Sequence, residues 1–331
     1  MEGDKRQEQL LGILLEAEGF ISGEEISRRL GISRTAVWKR IRSLKEEGCA
    51  IESVSNKGYR LLSTSGALST AEIQNRIPPE SRFRDVRVYP TVDSTNGEAK
   101  RLAAQDRTWE GLVLSEEQTA GKGRRGRAWL SGQGEGIYMS FLLRPAILPQ
   151  KAAMLTLVAG LAAARAIDSL GIGVGIKWPN DLVADGKKLC GILTEMTAEP
   201  DYVDLVVVGI GINCNQKAFP PDLGEKATSL ALLGGADVDR NALAARVVEE
   251  FEPLYMEFQE RGDLGFLLEE YNVRCVNNGA RVQVLGEQTP LLGRGAGVDK
   301  DGSLLVDTDD GKRIAVQAGE VSVRGLYGYA E

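Results

Sequence analysis

The 331-residue chain carries 40 Lys+Arg against 47 Asp+Glu, a net charge of −7, with 43% hydrophobic residues and no histidine. At about 150 residues per domain this is material for two or three domains with a sizeable core, and the acidic balance excludes a protein that coats nucleic acid over its whole surface. Lacking histidine, the chain has no Ser-His-Asp or Cys-His catalysis and no histidine base or metal ligand, so its chemistry must run on Lys, Arg, carboxylates and backbone groups, as adenylyl or phosphoryl transfer can.

Cys49, Cys190, Cys214 and Cys275 are scattered with no C-x-x-C pair, which argues against a zinc ribbon, a redox dithiol and a disulfide framework. No apolar run approaches the roughly 20 residues that span a bilayer, and the charged opening MEGDKRQEQL does not read as a signal peptide. The expectation is a cytoplasmic protein with no membrane partner.

In chain order, the first segment is Gln7 to Glu18, with Leu10, Leu11, Leu14 and Leu15 on one helical face. Ser22 and Glu25 have capping-box spacing and open a second helix that stops at Gly31. Ser33 stands as N-cap of a third helix ending before Gly48, whose buried stripe is Val37, Ile41 and Leu44. From Arg28 to Lys45 there are seven basic residues and no acidic one. A helix, a short turn and a basic helix form the helix-turn-helix pattern, whose second helix enters the major groove. Ala50–Val54 and Tyr59–Leu62 flank Asn56-Lys57-Gly58 and read as a hairpin, the wing. The candidate DNA contacts are Ser22, Ser33, Arg34, Thr35, Trp38, Lys39, Arg42 and Lys45, with Lys57 and Arg60 on the wing. A three-helix packing module with a solvated basic face is the alternative.

Ser63–Gly66 reads as a linker, and a second domain starts near Leu68. It mixes strands (Val86–Tyr89, Leu112–Glu116, Tyr138–Leu143, Val203–Ile210) with helices, the longest expected over about Gln150 to Leu170 and buried. This predicts a central α/β domain built on one mixed sheet. Three loops stand out. Asp93-Ser94-Thr95-Asn96 suits a helix cap first and a polar ligand second. Gln118 leads into Gly121-Lys122-Gly123-Arg124-Arg125-Gly126-Arg127, closed by Trp129. Its glycines and cations suit phosphate and carboxylate groups, yet it has neither Walker A spacing nor a Rossmann context; a basic loop for nucleic acid is the alternative. Lys177-Trp178-Pro179-Asn180-Asp181 follows the expected strand Val174–Ile176 and places a lysine where it could stabilise charge, with Asn180 and Asp181 to orient it or hold magnesium. The Asp185-Gly186 turn then leads into Lys188–Leu193. Towards the end, helices about Arg240–Gln259 and Leu264–Val273 precede short alternating strands such as Arg281–Val284 and Leu304–Val306, separated by Asp-Gly turns, which predict a small β-barrel.

Asp93–Asn96, Gly121–Arg127, Lys177–Asp181, Lys188–Leu193 and Gly209-Ile210-Gly211-Ile212-Asn213, in this order, resemble the bacterial biotin–protein ligases that carry a DNA-binding domain. The resemblance spans essentially the whole chain and implies an α+β multidomain protein. Its parts would be an N-terminal winged helix-turn-helix (1–64), a mixed-sheet ligase domain of the biotin/lipoate type (68–274) and a C-terminal SH3-like barrel (277–331). It implies that biotin and ATP with Mg2+ form biotinyl-5′-AMP, and that a lysine of a biotin carrier domain, typically that of acetyl-CoA carboxylase, then takes the biotin.

By position, the resemblance implies a biotin site of Ser94, Thr95, Asn96, Gln118, Lys122, Gly123, Arg124, Lys177 and Gly191. The nucleotide site would be Gly121, Lys122, Arg124, Arg127, Trp129, Asn180, Asp181, Asn213 and Arg324. Lys177 and Arg124 would be catalytic, and Asp181 would meet magnesium. Lys122 departs from the arginine common in the family, keeping the charge but losing the guanidinium fork, so altered retention of the intermediate is expected. Biotinyl-5′-AMP would act as corepressor, favouring a homodimer that binds an inverted-repeat operator. A lipoate–protein ligase, and a ligand-sensing transcription factor without ligase activity, are the rival readings.

Overall fold

The computed structural model describes residues 2–285, 291–317 and 322–325. In chain order the elements are α1 (Glu2–Glu16), α2 (Gly23–Leu30), α3 (Arg34–Glu46), β1 (Ala50–Val54), β2 (Gly58–Ser63), α4 (Thr70–Arg76), β3 (Val86–Val92), α5 (Thr95–Gln105), β4 (Gly111–Gln118) and β5 (Gly136–Leu143). There follow α6 (Met154–Asp168), β6 (Gly175–Lys177), β7 (Asp181–Ala184), β8 (Lys187–Glu199), β9 (Tyr202–Asn213), α7 (Leu230–Gly234), α8 (Arg240–Arg261) and α9 (Leu268–Arg274). The last are β10 (Arg281–Leu285), β11 (Leu291–Val298), β12 (Leu304–Thr308), β13 (Arg313–Val316) and β14 (Ser322–Gly325).

The N-terminal helices form because their caps and stripes agree. Ser22 Oγ accepts from the Glu25 amide and Ser33 Oγ from the Ala36 amide, while Gly31 takes the left-handed conformation (φ 62°) that closes α2. The Glu25 carboxylate faces Arg28 and Arg29, so the capping box expected there has one arm only. α1 begins five residues before the Gln7 that periodicity suggested. Leu10, Leu14, Ile26, Val37, Ile41 and Leu44 build a small separate core beneath it. β1 and β2 pair antiparallel around Asn56 (φ 66°), and Ile21 bridges Tyr59 to tie the hairpin back to the helices.

The central sheet has seven strands in the order β3-β4-β5-β9-β8-β7-β6, with β3 and β4 parallel and the rest antiparallel. Alternation assigns its faces. Ile137, Met139 and Phe141 of β5 and Val206, Val208, Ile210 and Ile212 of β9 face the main core under α6 and α8. Leu142 and Val207 face the other side, where Ala99 and Ala103 of α5 cover them. The expected long helix is a 3-10 turn followed by α6; contrary to the expectation that no apolar run approaches a membrane span, Pro149–Asp168 is long and apolar enough to cross one, and 78% of that window is buried in this core. The longest described helix is instead α8, of 22 residues, with only one face apolar.

The C-terminal sheet runs β13-β12-β11-β10-β14, all antiparallel. Val282, Val298, Leu304 and Val306 join the main core, so this unit shares one apolar interior with the central domain.

Candidate functional site

Between α5 and the loop after β4, the sheet surface is left bare. The register explains why. Tyr138, Gly211 and Gly191 lie side by side across β5, β9 and β8, and Ser140, Gly209 and Leu193 form the next row. A Cβ on Gly211 would come within 2.6 Å of the Trp129 indole, and one on Gly191 within 2.8 Å. A Cβ on Gly209 would meet Asn96 Oδ1 at 2.3 Å. The glycines therefore let a flat ring and a polar side chain lie directly on the backbone.

The cavity above is lined by Ser94, Thr95, Asn96, Gln118, Lys122, Gly123, Arg124, Trp129, Asn180, Lys188 and Gly191, among others, and holds about 470 Å³ including its solvent-open part. One end is polar. Ser94 caps α5, and the Thr95 amide donates to Gln118 Oε1 at 2.8 Å, joining the first loop to the second. Asp93 stands outside the cavity. Arg101 binds it at 2.6 Å and holds its carboxyl down to about 2. The other end is cationic. The glycine–arginine loop closes on itself: the Gly123 amide donates to Arg127 O at 2.7 Å, and the Trp129 amide to Gly121 O at 2.9 Å. Arg125 (φ 59°) and Gly126 (φ 73°) turn the tip with two left-handed residues.

Arg124 donates to Asn180 Oδ1 at 3.2 Å. Burial, with Arg125 nearby, lowers the pKa of its guanidinium, which would favour an arriving anion. Lys188 stands across from it: Nζ lies 2.6 Å from Asp181 Oδ1 and 5.3 Å from the Trp129 ring centroid. Trp129 Nε1 is buried with no hydrogen-bond partner among the described residues.

Lys177 ends β6 cross-strand from Asp181, in the row that continues through Gly191, Gly211 and Tyr138, so it lies on the cavity's face of the sheet, while Lys122 and Lys188 are the lysines in the cavity lining. The hairpin β7–β8, with a register shift at Leu182/Val183, folds Lys188 back beside Asp181. Asp181 is occupied by Lys188 and by Asn180 Nδ2 at 3.1 Å, and no three metal-ligating side chains gather among the described residues. Asp181 is thus the ion-pair partner of Lys188 in this structure. Asn213 is buried and donates to Thr228 O at 3.0 Å, outside the lining. Gly121 and Arg127 shape the loop without lining the cavity. Arg324 is placed by backbone alone, opposite Gln283; its side chain lies outside what is described. Trp178 is structural: it is buried, with its indole donating to Gly302 O at 3.0 Å.

On the N-terminal unit, Ser33, Arg34, Thr35, Trp38, Lys39, Arg42 and Lys45 share the exposed side of α3, and Lys57 and Arg60 are exposed on the wing. Ser22 and Ser33 use their oxygens as caps and keep a proton to donate. Arg42 also pairs with Glu46 at 2.8 Å, a surface contact that a phosphate could displace.

Residues 88–213 match the biotin/lipoate A/B protein ligase family, residues 6–60 a helix-turn-helix domain, and residues 279–324 the biotin protein ligase C-terminal domain. The bifunctional ligase/repressor BirA of Bacillus subtilis is 40% identical over 88% of this chain and 90% of its own. The chain belongs to the biotin–protein ligase family. Within that family, the bifunctional ligase/repressor BirA of Escherichia coli is 32% identical over 96% of both chains. The biotin–[acetyl-CoA-carboxylase] ligase of Mycobacterium tuberculosis is 36% identical over 73% of this chain and 90% of its own. Among solved structures, the Aquifex aeolicus biotin protein ligase in complex with biotin and ATP superposes with a TM-score of 0.64 at 30% identity, covering 73% of this chain and all of that one.

Proposed function

We infer that this chain is an ATP-dependent biotin–protein ligase that forms biotinyl-5′-AMP and passes biotin to a carrier-domain lysine, and that its winged helix makes it a biotin-responsive repressor. The observation that carries the ligase reading is one cavity with a hydrogen-bonding end, an indole wall and a rim of Lys122, Arg124 and Lys188. Biotin has this character: a ureido ring, an apolar chain and a carboxylate.

In the first step the biotin carboxylate attacks the α-phosphorus of ATP and pyrophosphate leaves. Negative charge crowds where the two anions meet, and fixed cations there lower the barrier more than the ground state. Lys188, aimed by Asp181, is assigned this role, with Lys177 cross-strand from the same carboxylate. Arg124, directed by Asn180, offers a guanidinium fork to phosphate oxygens. Magnesium arrives with ATP as part of the substrate. In the second step the carrier lysine's amine attacks the acyl carbon and AMP leaves. No enzyme nucleophile takes part, in keeping with a chain without histidine.

The acceptor is proposed to be the biotin carrier domain of acetyl-CoA carboxylase or a related carboxylase. For the repressor, biotinyl-5′-AMP orders the glycine–arginine loop and favours a homodimer, whose two winged helices meet an inverted repeat. The exposed basic side of α3 supports this half.

The test is transfer of labelled biotin to an acceptor carrier domain with and without ATP, with lipoate as competitor. Label transfer that needs ATP and resists lipoate is expected. Biotin-independent pyrophosphate release, or preference for lipoate, would overturn the ligase reading. Equal dimerisation with and without biotin and ATP would overturn the switch.

A further inference from the structure

The polar end of the cavity is wired to a charge pair that the reaction does not use. Asn96 is buried against Gly209, and its amide makes contacts on both sides. Nδ2 donates to Glu195 Oε2 at 2.7 Å and to Leu193 O at 3.3 Å. Oδ1 accepts from Ser140 Oγ at 2.6 Å. Glu195 Oε1 in turn accepts from Lys100 Nζ at 2.8 Å. Burial raises the Glu195 carboxyl, but the bonds from Lys100 and Asn96 outweigh it and leave it below its ordinary value.

These contacts fix a direction. An ionised carboxylate only accepts, so Asn96 must turn its NH2 towards Glu195 and its carbonyl towards Ser140. Ser140 has one proton, and Asn96 Oδ1 takes it. Thr95 Oγ1, 2.8 Å from Ser140 Oγ and 3.1 Å from Gln118 Oε1, then faces two acceptors and must donate to one of them. The Gln118 carbonyl is itself fixed, because Oε1 accepts from the Thr95 amide and Nε2 donates to Ser131 Oγ at 2.9 Å. What Thr95 Oγ1 and Asn96 Oδ1 can still offer a ligand is lone pairs.

We propose that Glu195, held by Lys100, is a positioning residue that sets the polarity of this chain of hydrogen bonds, so that Thr95 and Asn96 present acceptors and select a ligand whose polar end carries N–H donors. This rests on the biotin reading and deepens it: the ureido ring of biotin supplies two N–H donors, and the dithiolane of lipoate supplies none. A buried acceptor left without a donor is what rejects the wrong ligand.

Glu195→Gln tests it in the full chain. With its carbonyl towards Lys100, the new side-chain amide points its NH2 at Asn96. Asn96 then flips, and the polarity reverses through Ser140 to Thr95. The expected result is a biotin KM raised about 10- to 100-fold in biotin-dependent pyrophosphate release, with kcat at saturating biotin within about threefold. Competitive inhibition by lipoate should stay within about twofold, because lipoate makes no use of the acceptors.

Ser140→Ala, which cuts the chain one link on, should raise the biotin KM similarly. Glu195→Gln should add less than about threefold in that background, since the two act through one path. The proposal is overturned if Glu195→Gln leaves the biotin KM within about threefold, if kcat falls with it, or if the two losses multiply. Should Glu195→Gln not fold, Ser140→Ala decides alone: an unchanged biotin KM overturns the proposal and a raised one with unchanged kcat supports it. If the unsubstituted protein shows no biotin-dependent pyrophosphate release, the biotin reading has failed. If it does and the variants match it, only the positioning role has failed.

Discussion

Replacing Lys188 by methionine separates the charge from the packing of its stem. In the folded protein Lys188 and Asp181 are 22% and 15% exposed at 2.6 Å, so the substitution leaves Asp181 with Asn180 Nδ2 alone. Breaking a fully buried pair costs about 3–5 kcal/mol, but this one keeps solvent contact and a second donor, so about 1–2 kcal/mol is expected. That lowers the melting temperature by about 2–8 °C. Loss of a preorganised donor at a developing oxyanion costs about 3–4 kcal/mol of barrier, or roughly 100- to 1000-fold in rate. The assay is single-turnover formation of labelled biotinyl-adenylate at about 25 °C, with circular dichroism at the same temperature to confirm folding. Lys187→Met, whose ammonium donates to Gly224 O at 3.1 Å away from the cavity lining, is the comparison and should keep a rate within about threefold of the unsubstituted protein. A Lys188→Met rate within about tenfold of the original, or a Lys187→Met protein equally slow, would refute the assignment.

Gly211→Ala puts a Cβ 2.6 Å from the Trp129 indole and should displace it, raising the biotin KM at least about tenfold while thermal melting shows a folded protein. Arg240→Met removes the cation from Glu116, two side chains 4% and 12% exposed and 2.8 Å apart, and should cost about 3 kcal/mol in urea unfolding; a loss under about 1 kcal/mol would contradict the burial argument. Arg34→Ala should lower the slope of log affinity against log salt for operator DNA by about 1, marking a phosphate contact. Trp38→Ala, losing a side chain 52% exposed on the recognition face, should weaken binding without changing that slope; a changed slope would mean that it acts through its neighbour Arg42.

Local signals in the sequence located the helix caps, the wing turn and most strands, because each depends on a few adjacent residues. Ser94–Asn96, Gln118, Lys122–Arg124, Trp129 and Asn180 meet in one cavity, and Asp93 stays outside it. Lys188 had no local signal of its own, because only the β7–β8 hairpin and its register shift bring it beside Asp181, the cross-strand partner of Lys177. One signal was available. Gly191, Gly209 and Gly211 lie on adjoining strands, the last two at alternate positions of one of them, which marks one sheet face cleared of side chains. Arg240 and Glu116 lie 124 residues apart, and neither neighbourhood hints at burial. Glu195 carries no local signal, because its partners Asn96 and Lys100 come from a helix about 100 residues earlier.

The small polar stretch after the wing looks in sequence like a tether. In the fold it is gripped: Arg240 donates to Gly66 O at 3.0 Å, Asn241 donates to Ala67 O at 2.8 Å, and the Leu68 amide donates to Glu116. Glu8 of α1 completes the joint by accepting from Ser69 Oγ at 2.9 Å and the Ala71 amide at 3.0 Å. The reading head is thus a bracket bolted to the ligase body. In any two-fold assembly the distance and angle between two such heads are inherited from how the bodies meet, and the spacing of operator half-sites becomes a ruler for an interface far from the DNA.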